Sequence, residues 1–141
     1  INRLYEASQA GVEIDLIVRG ICCLIPGQTY SRNIRVTRIV DTFLEHARIW
    51  YFGNGGNPKL FLGSPDWMRR NLYRRIEAVT PILDPDAKQE LIDMLSIQLS
   101  DKRKACFVDE NLRNCWKSAH PQKEKVRSQY TFYEYLKEKT E

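Results

Sequence analysis

The sequence predicts an α/β fold in which a mixed β-sheet is covered by helices, and three features predict it. Segments rich in β-branched and aromatic residues alternate with helical segments along the chain. Two such segments flank the cluster Gly53-Asn54-Gly55-Gly56-Asn57-Pro58 and read as a hairpin, because glycine supplies the positive φ such a turn needs. A long amphipathic helix starts at Asp84-Pro85. At 141 residues and 43% hydrophobic content the chain buries one core, so a single domain over residues 1–141 is expected. It begins at Ile1 without a Met, inside a helical segment, and reads as a piece of a longer polypeptide.

Residues 1–10 carry Leu4 and Ala7 among good helix formers, and Gly11 supplies the stop. VEIDLIV, residues 12–18, becomes continuously apolar at Leu16-Ile17-Val18, the pattern of a strand buried on both faces. Arg19-Gly20 follows at its carboxyl end, where open α/β sheets hold ligands; an arginine there also simply marks where the strand surfaces. After the Pro26-Gly27 turn, residues 34–40 alternate as a second strand. A short helical turn over 41–45, with Asp41 as its N-cap, is expected to lead to His46.

The hairpin strands are Ile49-Trp50-Tyr51-Phe52 and Lys59-Leu60-Phe61-Leu62. Period-2 alternation sets His46 and Arg48 on one face at the start of the first, while Gly63-Ser64 ends the second nearby. Residues 65–75 hold four arginines, Arg69, Arg70, Arg74 and Arg75, and read as a charged connection between strands. Residues 76–83 are β-like, with Pro81 marking an end or an edge. Asp84 is the N-cap of the amphipathic helix, Pro85 its first residue and Asp86 an acid in its first turn, with Ala87, Leu91, Ile92, Leu95 and Leu99 along one face. A strand over 104–108, Trp116 tucked under a polar run, and a closing helix over 128–139 complete the chain. In that helix Ser128 caps and Phe132, Tyr133 and Leu136 face inward.

No apolar run approaches the roughly 20 residues of a membrane span. A soluble protein of the cytoplasm is the default. The charge of +4 is uneven: residues 84–101 carry a net −4 and residues 102–127 a net +5, which suggests a polyanionic partner or a solvated surface. Cys22, Cys23, Cys106 and Cys115 lack metal-ligand spacing and read as buried or half-buried free thiols. His120 precedes a proline in a charged loop and reads as a surface residue.

An imidazole, a guanidinium and a hydroxyl (His46, Arg48, Ser64) at one end of a hairpin suit phosphate. Arginine forks match phosphate oxygens, and an imidazole can give or take a proton or accept a phosphoryl group. The cluster Arg69, Arg70, Arg74 and Arg75 is a candidate for meeting successive phosphates, with a solvated charge patch the stronger reading for Arg74 and Arg75, and Asn71 either donates to a phosphate oxygen or caps the turn. The glycines 53, 55 and 56 lack the strand-to-helix context of a phosphate loop and are turn residues.

The blocks LYEASQAGVEIDLIVRGICCLIPG, NIRVTRIVDTFLEHARIWYFGNGG, LFLGSPDWMRRNLYRRIEAVTPILD and SQYTFYEYL, taken together, closely resemble the carboxyl-terminal catalytic domain of bacterial polyphosphate kinases. Those enzymes reversibly move the terminal phosphate of ATP onto inorganic polyphosphate. The family resembles the phospholipase D superfamily, whose His-x-Lys, Asp and Gly-Ser motif corresponds here to His46, Arg48 and Gly63-Ser64. Arg48 stands for the Lys, and Gly53 falls at the Asp. The resemblance implies a phospholipase D-like fold, and Arg19 and His46 as ligands of nucleotide or polyphosphate phosphates. It places the phosphorylated histidine and the Mg2+ ligands in preceding domains of the same polypeptide. It further implies ATP/ADP and polyphosphate as partners rather than nucleic acid, a homo-oligomer, and a cytoplasmic place with membrane association open. A phospholipase D-like phosphodiesterase and a non-catalytic polyanion-binding module are the competing readings.

Overall fold

The computed structural model describes residues 1–140, which form two compact units. One comprises residues 1–44 and 96–140 and the other residues 45–95.

The first unit is built on a four-stranded mixed sheet. Helix α1 (Asn2–Gln9) leads through Gly11, at φ 91°, into β1 (Ile14–Ile17), and β2 (Ile34–Ile39) lies parallel to it. Strands β6 (Ala105–Val108) and β7 (Asn114–Trp116) then add antiparallel, in the order β1-β2-β6-β7. Leu24, Ile34, Val36 and Val108 form the core, with Leu4 and Tyr5 of α1 packed on it. The Tyr5 hydroxyl accepts from the Ile25 N–H at 2.8 Å, which ties the 20–33 loop to the helix. Helix α4 (Ser128–Thr140) closes the unit.

The second unit holds a three-stranded antiparallel sheet, β3 (Ile49–Phe52), β4 (Lys59–Gly63) and β5 (Val79–Pro81), with β4 central. The predicted hairpin forms, with Ile49 opposite Leu62 and Phe52 opposite Lys59. Its turn is a short 3-10 segment, Asn54–Gly56, with Gly55 and Gly56 at φ 61° and 92°. Leu60 is its buried apolar centre. The long helix α3 (Pro85–Ser100) starts as predicted, the Asp84 carboxylate accepting from Ala87 N–H at 2.8 Å. The α/β class, mixed strands and flanking helices are those the sequence predicts, and they are consistent with a phospholipase D-like fold.

Several local expectations are corrected. β1 is an edge strand of its sheet with Asp15 exposed, and Asp15 pairs with Arg35 directly across the ladder at 2.7 Å. No helical turn forms over 41–45, because a bidentate ion pair with Arg127, at 2.6 and 2.8 Å, takes the Asp41 carboxylate that would have capped it. The arginine-rich connection contains a helix, α2 (Arg69–Arg74), anchored by buried Asn71. Strand β7 was too short to show as a pattern. It forms because the Asp109 carboxylate accepts from the N–H groups of Asn111 and Arg113 and closes a tight turn, with Leu112 at φ 61°.

Trp116, on β7 at the sheet edge, is 58% exposed rather than tucked in. Ser128 does not cap: the buried Asp101 carboxylate accepts from the Ser128 N–H at 2.8 Å, and the Ser128 hydroxyl is buried without a partner. Tyr133 and Ala87 are exposed, whereas the buried residue of α3 is Gln98. All four cysteines are free, but Cys23 and Cys115 are exposed, since Cys23 sits in a loop and Cys115 on the edge strand.

Candidate functional site

Most of the predicted site residues gather in the second unit, where the hairpin ends. His46 precedes β3, and the ladder extends one residue back, the Gly63 N–H donating to the Arg48 carbonyl at 3.1 Å. That bond fixes Arg48 beside the Gly63-Ser64 end of β4. The Arg48 guanidinium lies against Nε2 of His46, and its Nε donates to Asp66 at 3.0 Å. A guanidinium only donates, so Nε2 facing it must offer its lone pair, which leaves the imidazole proton on Nδ1. Asp66 Oδ1 is also 3.7 Å from His46 Nε2. His46 is half exposed and Arg48 largely covered, so the imidazole is reachable on a fixed guanidinium support.

Ser64 and Asn71 belong to an adjoining network organised by Glu77. The Ser64 hydroxyl donates to one Glu77 carboxylate oxygen and the Asn71 amide to the other, the latter at 2.7 Å. Ser64 Oγ also accepts from the Ala78 N–H at 3.1 Å. The Ser64 hydroxyl holds the Glu77 carboxyl below its ordinary range, helped by the Asn71 amide and by the charges of Arg75 and Arg48. Ser64 thus has its proton engaged, and Asn71 is buried with its carbonyl oxygen unpartnered. Arg69 and Arg70 stand exposed in the first turn of α2. Arg19 belongs to the first unit, exposed just past the carboxyl end of β1.

Sequence reasoning missed the two carboxylates. Asp66 lies two residues past Ser64, and Glu77 lies two residues before β5, so both flank the Gly-Ser end of β4. Their signal was an acid inside an arginine-rich stretch, where ion pairing is the cheapest expectation. At the place of the superfamily's Asp stands Gly53, at the start of the distal hairpin turn, where no carboxylate replaces it. No three His, Cys, Asp or Glu side chains among the described residues converge into a group able to hold a metal ion. Asp66 and Glu77 are instead taken up by Arg48, Ser64 and Asn71. The residues present do not fit a magnesium site.

The arrangement can do limited chemistry by itself: it offers fixed donors to an anion and one imidazole able to exchange a proton. No helix among the described residues is long and apolar enough to cross a membrane.

Residues 1–129 match the family model "Polyphosphate kinase C-terminal domain 2". A polyphosphate kinase of Synechocystis is 59% identical over 106 residues, covering 74% of this chain and 15% of that protein. One from Escherichia coli is 46% identical over 138 residues, covering 97% of this chain and 20% of that protein. The crystal structure of a polyphosphate kinase from Porphyromonas gingivalis superimposes with a TM-score of 0.93 at 57% identity, over 98% of this chain and 21% of that one. The chain therefore spans about a fifth or less of the length of these relatives.

Proposed function

The chain belongs to the polyphosphate kinase C-terminal domain 2 family, and from that premise we propose that it is the phosphate-holding portion of a divided phosphoryl-transfer site. The reaction is the reversible passage of the terminal phosphate of ATP to the end of a polyphosphate chain, giving ADP and a chain one phosphate longer. In the forward direction the bond between the β,γ-bridging oxygen and Pγ breaks, and a bond from Pγ to a histidine nitrogen in a preceding domain forms. The phosphohistidine then yields its phosphoryl group to the terminal oxygen of polyphosphate.

Such transfers need positioning and stabilisation of charge on the equatorial oxygens more than covalent help from the protein. His46 supplies its Nδ1–H as a hydrogen-bond donor, Arg48 a charge held close by Asp66, and Arg19, in the first unit, a guanidinium of its own. Arg69 and Arg70 guide the phosphate chain. Ser64 and Asn71 act through Glu77, fixing the end of β4 on which Arg48 rests. The cytoplasm, where ATP is held, is the place of action, and the parent polypeptide is a homo-oligomer.

The observation carrying this reading is the His46–Arg48–Asp66 cluster at the hairpin end, in a chain whose relatives are polyphosphate kinases. Incubating the 141-residue chain alone with ATP and a polyphosphate primer tests the divided site. No chain extension is expected, and ATP-dependent synthesis by this chain would overturn it.

A further inference from the structure

The basic stretch 102–127 has no part in the reading above, yet it folds around a pocket in the first unit. Its volume is about 710 Å³, and its lining includes Arg103, Lys104, Trp116, Ser118, Gln122 and Arg127. The pocket forms where β6 begins and β7 ends. Cys106 faces Trp116 across the ladder, and the Lys117 N–H donates to the Ala105 carbonyl at 3.2 Å. Alternation sends neighbouring side chains of β7 to opposite faces. Lys117 leaves toward the Leu99 carbonyl and the Phe107 ring, and Trp116 takes the pocket side.

The charges here are unevenly satisfied. Arg127 is committed to Asp41 at 2.6 Å and lies over the Tyr130 ring. Ser118 donates to Glu124. Lys104 comes no nearer to a carboxylate than 3.9 Å, from Asp41, and Arg103 has no carboxylate partner among the described residues. Both amides of this pair are fixed instead, each donating to the buried Asp101 carboxylate at 2.8 Å. Two weakly compensated cations therefore stand on a rigid corner beside an indole that is 58% exposed and makes no ring contact among the described residues.

We propose that this pocket is a second ligand site, taking a nucleoside di- or triphosphate with its base on Trp116 and its phosphates on Arg103 and Lys104. The volume is within the range of small-molecule sites, a flat aromatic face is a sequence-tolerant base platform, and paired cations match a pyrophosphate group. Inorganic polyphosphate would use the cations but gain nothing from the indole. None of the residues used shares an element with His46, Arg48 or Asp66, so the site stands independently of the proposed transfer chemistry.

The test follows the Trp116 indole N–H and the Arg103 and Lys104 amides by NMR in the 141-residue chain, titrated separately with ADP and with tripolyphosphate. The Trp116 signal is identified with Trp116→Phe. ADP is expected to shift these signals saturably and at least about fivefold more tightly than tripolyphosphate. Trp116→Ala should erase that difference, and Arg103→Ala/Lys104→Ala should weaken ADP by roughly tenfold or more. Arg103→Lys/Lys104→Arg should restore most of it, which separates charge from folding. Equal binding of ADP and tripolyphosphate, no saturable shift at millimolar ADP, or indifference to the cation substitutions would each overturn the proposal.

Discussion

Replacing Gly63 by alanine should destabilise the hairpin unit, for reasons of space alone. A Cβ at Gly63 would meet ring atoms Cζ3 and Cη2 of Trp50 at 2.6 and 2.8 Å and Cγ2 of Val79 at 2.9 Å. Carbon atoms settle at about 3.5–4.0 Å, so relief requires movements of roughly 1 Å on both sides. Val79 is the register partner of Gly63 across β4 and β5, and the Trp50 indole stacks on Trp67 with centroids 6.4 Å apart at 18°. Overpacking of this kind costs about 1–3 kcal/mol. Urea unfolding followed by tryptophan fluorescence reads it, and near-UV circular dichroism reads the disturbed indole pair. In a Trp50→Phe background, where the offending ring is smaller, the same Gly63→Ala change should cost less than half as much. A Gly63→Ala protein within about 0.5 kcal/mol of the parent, or an equal cost in both backgrounds, would refute the reasoning.

Two further outcomes follow from buried carboxylates of the first unit. Arg127 holds the Asp41 carboxyl below its ordinary range. The pair's contribution is therefore present above the unfolded carboxylate value near 4 and lost as pH falls through the lower folded value. Asp41→Asn should cost about 2 kcal/mol at pH 7 and flatten the acid limb of a stability–pH profile between roughly pH 5 and 2; an unchanged acid limb contradicts this. Asp101→Ala removes the acceptor of three backbone N–H groups, those of Arg103, Lys104 and Ser128. It should cost about 3 kcal/mol or more and raise hydrogen exchange at these amides first. Protection unchanged at Ser128 would contradict it.

The parts of the fold that the residues announced are those with local causes. The hairpin followed from the Gly-Asn cluster, and the start of α3 from Asp84-Pro85, because turn and cap chemistry act over three or four residues. The parts that were hidden depend on partners distant in sequence. Asp41 looked like a cap until Arg127, 86 residues on, could be seen to claim it. Asp101 counted only as one of the acids of residues 84–101, but it is fully buried and accepts from the first N–H of α4. The helix α2 was masked by its charges, since its one buried contact, Asn71 on Glu77, has no helical periodicity. At the site, residue type and alternation found His46, Arg48 and Ser64. They did not find Asp66 and Glu77, which set the orientation of those groups and whose roles exist only after β4 and β5 pair.

The central claim, that this chain brings phosphate-holding cations and an imidazole to a transfer site completed elsewhere in the polypeptide, is most directly tested in the longer polyphosphate kinase carrying it. His46→Ala and Arg19→Ala are introduced singly, and polyphosphate formation from ATP is measured alongside the thermal midpoint. Each substitution is expected to lower turnover by about 10²-fold or more with the midpoint unchanged, since both side chains are exposed and make little of the core. Turnover that survives both substitutions would contradict the account.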